Sequence, residues 1–336
     1  MLAIQPRNGH LDFLDGWRGI AVILVIIGHF FPSGHINLGT LGVELFFVLS
    51  GRLMAEILFV RQTPLKIFFV RRINRVYPAL IVFVLAAFLW GNLTEEFLVG
   101  PKAVASVFAL IYNYVLWIPG LYRTGFYDHL WSLAVEEHSY IFLGILAFLQ
   151  RKASLPLLPL LFAVSIACFL NGLVSNVVLG HDYFQTYWRT DVHAGAIFVG
   201  AGLYLVLGHD GEKREWLFWT SLLTGLVLSL SVFPYPVQFG PATLALAVAV
   251  CTLDRAPIAK RVFSEPILRK VGIISFSLYL WQQPFYKLSA HELLSPWLGM
   301  TGALACAITS YFLVEKPFRR RLNRLADRFA QQPAAA

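Results

Sequence analysis

The sequence predicts an all-α, polytopic transmembrane bundle, and three observations carry that prediction: composition, the spacing of apolar runs and the placement of basic residues. Hydrophobic residues make up 57% of the 336-residue chain, aromatic ones 15% and charged ones only 14%, against about a quarter charged in soluble domains. The mean hydropathy is +0.65. An apolar stretch of ~20 residues crosses the ~30 Å hydrocarbon core as a helix, and most of the chain falls into such stretches. No polar segment is long enough to form a soluble core. The chain therefore reads as one transmembrane domain over residues 1–325, with a disordered tail at 326–336.

Eleven apolar runs stand at 14–31, 41–59, 77–93, 103–118, 131–149, 155–174, 192–207, 216–233, 239–253, 273–288 and 297–314. The first follows Arg7 but carries Asp15 and Arg18 and lacks a small-residue cleavage site, so it is a retained helix rather than a signal peptide. The formal charge of +8 lies in short loops and the tail. Positive-inside placement produces that pattern; a nucleic-acid footprint would gather on one soluble face, so no nucleic-acid partner is expected. Eleven crossings cannot put every basic loop on one side. Removing 103–118, which is short and interrupted by Tyr112, Asn113 and Tyr114, restores the rule, because broken backbone at membrane depth is tolerated where protein surrounds it. The expectation is ten spanning helices plus one re-entrant or interfacial helix, with both termini cytoplasmic. Trp90, Trp117, Trp131 and Trp188 stand near run ends, as interfacial aromatic belts do. Cys168, Cys251 and Cys306 lie inside apolar runs, fit no metal spacing and read as small packed hydrophobes.

Ionisable residues inside the runs point to chemistry. A charge at the bilayer centre costs ~2.5–3.5 kcal/mol on insertion scales, so each needs a reason. Arg18 and His29 are eleven positions apart, three turns plus about 20°, hence on one helical face and about 16 Å apart along the axis. Asp15, one turn before Arg18, can pair with it. A neutral imidazole there can take a proton from a hydroxyl and return it to a leaving group; a snorkelling pair plus a packing histidine fits the same three residues. The second run holds Glu44, Arg52 and Glu56, the last two spaced to pair. Ahead of the third run stand Arg71, Arg72 and Arg75, with Pro78 suited to a helix start. Arg72 and Arg75 share a face, and guanidinium groups grip phosphate in bidentate fashion; topology alone would also place them there. Glu136 and Glu137, followed by His138, lie one to two turns inside the outer face of the run that Trp131 opens. Two adjacent acids are too costly to face lipid. Asp191, beside Arg189 and His193, marks another outer mouth, where a local salt bridge is the rival.

The chain has no Gly-rich phosphate loop, no G-x-S-x-G elbow, no H-E-x-x-H and no Cys/His cluster of metal spacing. General acid–base work or proton relay is the chemistry left for a buried histidine and carboxylates, with no metal and no permanently bound cofactor.

Seven segments, in order, resemble the acyltransferase-3 family of integral membrane O-acyltransferases. They are Leu14-Asp-Gly-Trp-Arg-Gly-Ile-Ala21 with His29; Phe46-Phe-Val-Leu-Ser-Gly51; Arg72-Ile-Asn-Arg75 with Tyr77 and Pro78; Leu130-Trp-Ser-Leu-Ala-Val-Glu-Glu137 with Tyr140; Arg189-Thr-Asp191 with Gly195; Ser277-Leu-Tyr-Leu-Trp281; and Glu315-Lys-Pro-Phe-Arg319. The resemblance implies a ten-helix bundle in a bacterial cytoplasmic (inner) membrane. It also implies transfer of an acyl group, commonly acetyl from acetyl-CoA, to a hydroxyl of a surface glycan or lipid-linked saccharide. Some members carry an additional extracytoplasmic domain, for which this sequence leaves no room, so transfer is expected to finish in the membrane core. His138 and Arg52 depart from the family pattern and are expected to alter the acceptor pocket.

Spacing and resemblance together lead to one scheme. Acyl-CoA enters from the cytoplasm with its phosphates on Arg71, Arg72 and Arg75 and its thioester near Arg18. His29 is general base or acyl carrier, oriented by Glu136 or Glu137. Asp15, Glu44, Ser50, Arg52, Trp131, His138 and Asp191 line the substrate path. A proton-coupled transporter or flippase of a glycan or small metabolite would use the same ionisable groups, but the inverted repeats common in such folds are not visible.

Overall fold

The computed structural model describes residues 11–94, 97–115, 125–153, 155–207 and 213–331. Among them the chain is helical throughout, with one isolated antiparallel bridge, Ile36 to Leu230, and no strand. The helices are α1 (Asp12–Phe30), α2 (Leu38–Ala55), α3 (Leu65–Thr94), the short α4 (Pro101–Phe108) and α5 (Tyr112–Val115), α6 (Trp131–Lys152) and α7 (Leu157–Leu173). They continue with α8 (Tyr183–Tyr187), α9 (Thr190–Leu207), α10 (Glu215–Leu228), α11 (Tyr235–Phe239), α12 (Pro241–Thr252), α13 (Pro257–Phe263), α14 (Pro266–Ile273), α15 (Ser275–Ala290), α16 (Pro296–Ser310) and α17 (Lys316–Gln331).

Among the described residues, seven segments are long and apolar enough to cross a membrane: Asp12–Phe30, Leu65–Leu93, Asp128–Lys152, Leu157–Val178, Thr190–Leu207, Tyr235–Arg255 and Pro296–Arg324. The protein is a multi-pass integral membrane protein. Three further runs read as spans are also helical. Of these, α2 and the π-helical turn Glu56–Val60 that extends it carry three charges, while α10 and α15 have 14 and 16 residues, about 21 and 24 Å at 1.5 Å per residue. The run at 103–118, expected not to span, is two short helices broken near Leu110, which takes a positive φ of 60°; residues 116–118 lie outside the described set.

Some expectations need correction. The basic stretch before Pro78 is not a connection ending at a helix start: α3 runs unbroken from Leu65 through Pro78 to Thr94. The helix therefore extends a dozen residues beyond its apolar part and carries the arginines on a rigid rod. At the other end α17 continues to Gln331, past the boundary expected at 325. Trp131 and Trp188 form no interfacial belt. Both are buried, their rings 5.7 Å apart and nearly parallel. Trp90 packs half-buried against Phe126 and Phe285, and Trp117 lies outside the described residues.

Helices in lipid gain nothing from removing water between them, so close approach through small residues supplies the packing. At Gly272 of α14 a Cβ would stand 1.7 Å from the carbonyl oxygen of Asp15 on α1, and at Gly51 of α2 one would stand 2.0 Å from that of Ile197 on α9. Only glycine permits either crossing. The three charges of α2 and the turn that follows it are neutralised inside this packing. Glu44 accepts from His193 and from Thr243 (2.7 Å), Arg52 pairs with Asp254 and the Val250 carbonyl, and Glu56 binds Arg61 (2.8 Å) and Tyr204. The expected Arg52–Glu56 pair gives way to these tertiary partners. Large apolar side chains such as Leu85, Leu89, Phe312 and Leu313 are left on the outside, where a bilayer would cover them.

Candidate active site

Helices α1, α2, α3, α6 and α15 enclose a cavity of about 90 Å³. A buried water needs roughly 10–15 Å³ of such space, so this one holds several waters or a small acyl group, not a nucleotide. Its polar wall comes from Arg18, Ser50, Arg72, Arg75, Glu136 and Tyr279, and its apolar wall from side chains such as Phe46, Phe47 and Leu133.

Three guanidinium groups reach this cavity, and they differ in their partners. Arg72 is gripped by two successive residues of α6: Nε donates to Glu137 (2.6 Å) and a terminal nitrogen donates to Glu136 (2.8 Å). Its planar head also lies 4.2 Å from the centre of the Tyr140 ring. The other oxygen of Glu136 accepts from Ser50 Oγ at 2.6 Å. Arg18 donates to Asp15, one turn earlier, at 2.8 Å, as the i,i+3 spacing leads one to expect. Arg75 stands one turn after Arg72 on the same face of α3. Among the described residues it makes no hydrogen bond and no ion pair, although Glu315 is near enough to act on its charge. A charged, half-buried guanidinium offers five N–H donors that could receive an anion.

Arg18 and His29 do face the same neighbour. Arg18 borders the cavity beside Ser275 and Phe276 of α15, and His29, about three turns on, meets Gln282 and Tyr286 of the same helix. His29 Nδ1 is 2.7 Å from Gln282 Oε1, and the imidazole stacks on Tyr286 with centroids 4.6 Å apart. Between the two ends a polar thread runs along α15: Ser132 and Tyr279 share a hydrogen bond of 2.6 Å, and the Tyr279 hydroxyl donates to the His129 carbonyl at 2.9 Å. His129 is 4% exposed with neither ring nitrogen bonded, and next to it Asp128 pairs with Lys287 at 3.0 Å.

Glu136 and Glu137 are committed to Arg72, and the hydrogen-bond partner of His29 is the amide of Gln282, so the expectation that a carboxylate orients the imidazole gives way to a neutral partner. Arg72 belongs to the site but is not open for a phosphate, and Arg71 is exposed and away from the cavity. Ser50 lines the cavity as expected. Asp15 does not border the cavity but pairs with Arg18, which does. Glu44 and Arg52 are locked in the α2 pairs described above. Trp131 is buried against Trp188, Phe47 and His193. His138 bonds Thr190 Oγ1 at 2.8 Å, and Asp191 is held by Arg189 and Asn171 at an exposed edge. None of these last five borders the cavity.

A sequence profile of the acyltransferase-3 family, described as an acyltransferase domain, matches residues 11–315. The chain belongs to this family. Among named relatives it is 25% identical to a Bacillus subtilis (strain 168) protein provisionally named a peptidoglycan O-acetyltransferase, with 93% of this chain and 55% of that protein covered. It is 27% identical to the peptidoglycan O-acetyltransferase of Listeria monocytogenes serovar 1/2a (93% and 56%), and 27% identical to a Staphylococcus aureus (strain COL) protein provisionally named an O-acetyltransferase (93% and 58%). The chain thus spans little more than half the length of the relatives it matches. No solved structure matches it. Within this family member, residue-by-residue reading missed Gln282 and Gln283, which follow directly on a segment it did single out. Two adjacent amides ahead of Pro284 in an apolar run were the available signal. Tyr140 and Ser132 lay inside a recognised motif yet carried no charge to draw notice.

Proposed function

We propose that this chain is a membrane O-acyltransferase that takes an acyl group, acetyl by preference, from acyl-CoA and delivers it to a hydroxyl of a cell-surface or exported glycan, with peptidoglycan the first acceptor to test. The observation that carries this reading is the arrangement along α1: Arg18, which with the hydrogen-bond-free Arg75 borders a cavity sized for a small acyl group, and an imidazole, His29, about three turns on along the same helix, beyond the residues that line the cavity. The names of the relatives support the acceptor class.

In the reaction, the donor's anionic part rests at Arg75 with Arg18 beside it, outside a cavity too small to enclose a nucleotide. The acyl group passes by way of the cavity toward His29, which stands beyond its lining residues. His29 accepts the proton of the acceptor hydroxyl as its oxygen bonds the thioester carbonyl carbon. The carbon–sulfur bond breaks, the thiolate leaves and takes up the proton, and the products are the ester and the free thiol. The pair of Glu136 and Glu137 on Arg72 holds α3 against α6 and so fixes where Arg75 stands in the cavity wall.

The test is made in proteoliposomes with radiolabelled acetyl-CoA and purified glycan strands. Acceptor acylation should depend on both components and fall by about 10²-fold or more in His29→Ala, the usual contribution of a positioned general base. Wild-type acylation by His29→Ala at equal protein level would sink the acid–base role. Movement of glycan without consumption of acyl-CoA would favour the transporter reading instead.

A further inference from the structure

Gln282 and Gln283 are almost wholly buried, at 0% and 3% exposed, and buried amides must find partners. Theirs form a directed chain. Gln283 Nε2 donates to the main-chain carbonyl of Gly125 at 2.9 Å, Gln282 Nε2 donates to Gln283 Oε1 at 3.3 Å, and Gln282 Oε1 faces His29 Nδ1 at 2.7 Å.

The direction of that chain is fixed from its far end. A carbonyl oxygen can only accept, so Gln283 must turn its NH₂ toward Gly125 and its oxygen toward Gln282. Gln282 must then turn its own NH₂ toward Gln283 and its oxygen toward His29. An oxygen at 2.7 Å requires a proton on Nδ1. With Nδ1 protonated, a neutral imidazole carries its lone pair on Nε2. The opposite tautomer would set a lone pair against an oxygen. Flipping Gln282 to relieve this moves the clash to Gln283, and flipping Gln283 moves it to a backbone group that cannot flip. Gly125 has φ +63°, a conformation L side chains rarely adopt, so the anchoring carbonyl depends on glycine there.

We propose that Gln282 and Gln283 are positioning residues: a neutral amide relay that locks His29 in the Nδ1-protonated tautomer and presents Nε2 as the atom that exchanges a proton with the acceptor hydroxyl. This rests on the acid–base reading of His29 given above. A carboxylate in the place of Gln282 would stabilise the imidazolium; an amide orients the ring without holding the charge, so a proton taken by Nε2 is readily passed to the leaving thiolate. The other titratable groups around the ring leave this logic intact. From α15 come Tyr286, stacked on it, and Lys287, paired with Asp128, and beside that pair stands His129. The start of α2 presents Gly39 to the ring.

The test reads the tautomer directly. Protein labelled with nitrogen-15 at its nine histidines is reconstituted in lipid nanodiscs, and the His29 signal is assigned by difference against His29→Ala. The expected spectrum has Nδ1 protonated and Nε2 bare, with that preference lost in Gln282→Leu and weakened in Gln283→Leu. Turnover should fall about tenfold or more in Gln282→Leu, within the range that proton transfer contributes, with the KM for the donor within about twofold. In Gln282→Glu the acidic limb of the pH–rate profile should move up by about one pH unit, because a carboxylate favours the protonated ring. A wild-type ring protonated on Nε2, or an unaltered tautomer in Gln282→Leu, overturns the relay even if His29→Ala is inactive. Full activity of His29→Ala defeats the acid–base reading while leaving the tautomer result standing, so the two failures are distinguishable.

Discussion

Replacing Arg72 with leucine should be among the most damaging single changes in the molecule, for a reason other than donor binding. The guanidinium is the shared counter-charge of Glu136 and Glu137, at 2.8 and 2.6 Å, with side-chain exposures of 11% for Arg72, 18% for Glu136 and 11% for Glu137. Removing one partner of a buried pair costs about 3–5 kcal/mol because it strands the other charge. Here two like charges one residue apart are stranded together. Against a typical total stability of about 5–15 kcal/mol, that predicts a large loss of folded protein. Arg72→Lys keeps the charge but offers a point donor where a planar fork spans two carboxylates, so it should lose one charged hydrogen bond, about 1.5–3 kcal/mol. Arg72→Leu combined with Glu136→Gln and Glu137→Gln removes the stranded charge and should recover at least ~2 kcal/mol of the loss. The assay is equilibrium unfolding in mixed micelles by graded SDS, run on all four proteins. Additive losses in the triple variant would refute the argument, since they would mean that Arg72 and the two acids do not share one electrostatic unit.

Arg75→Gln should behave in the opposite manner: with no bonded partner to strand, its stability should stay within about 0.5 kcal/mol, while the KM for acyl-CoA rises about 10- to 100-fold, the equivalent of one charged hydrogen bond; an unchanged KM would remove Arg75 from the donor site. Glu44→Leu leaves His193 and Thr243 without their acceptor and should cost about 1–3 kcal/mol in the same SDS titration, while turnover per folded molecule stays at wild type; a selective loss of turnover would return Glu44 to the substrate path. Gly272→Val and Gly51→Val put a branched side chain where backbone stands 1.7 and 2.0 Å from a Cβ, so both should abolish monodisperse protein in size-exclusion chromatography, and a normal elution profile from either would show that those crossings can open.

Helix periodicity tells which residues share a face and stops there. It was enough for the Asp15–Arg18 pair, for the common face of Arg18 and His29, and for the common face of Arg72 and Arg75, all of which depend on 100° steps within one helix. It could not say which helix that face meets. Arg72 finds its carboxylates 64 and 65 positions later, and His29 its partner 253 positions later. Both depend on the order in which helices pack, which glycine crossings such as Gly272 against Asp15 decide. The error over Arg52 has the same origin: its i,i+4 neighbour Glu56 satisfies the local rule, yet Asp254 arrives on another element with better burial. Charge was legible because it is expensive in lipid. The amides of Gln282 and Gln283 were not, since a neutral polar group in an apolar run draws no comparable penalty and is commonly a packing contact.

If Arg75 is the anion site proposed above, the charges around the cavity explain how one bundle can be stable when empty and still receive an anion. Asp15, Glu136 and Glu137 face Arg18, Arg72 and Arg75, so the formal charges cancel and the cluster enters the membrane without net charge. The hydrogen bonds are shared unevenly: both carboxylates of α6 settle on Arg72, and Arg75 keeps its donors unmade. An arriving anion can therefore bind at Arg75 without first breaking an existing pair, which avoids the cost of stranding a buried charge. At the far end the same economy takes another form. His29 has an amide for a partner, so no fixed negative charge stands there to trap a proton or repel an acidic acceptor. On this reading anion recognition and proton transfer are kept about three turns of α1 apart, and a substitution that placed a carboxylate at Gln282 would couple them again by giving the imidazole end a charge of its own.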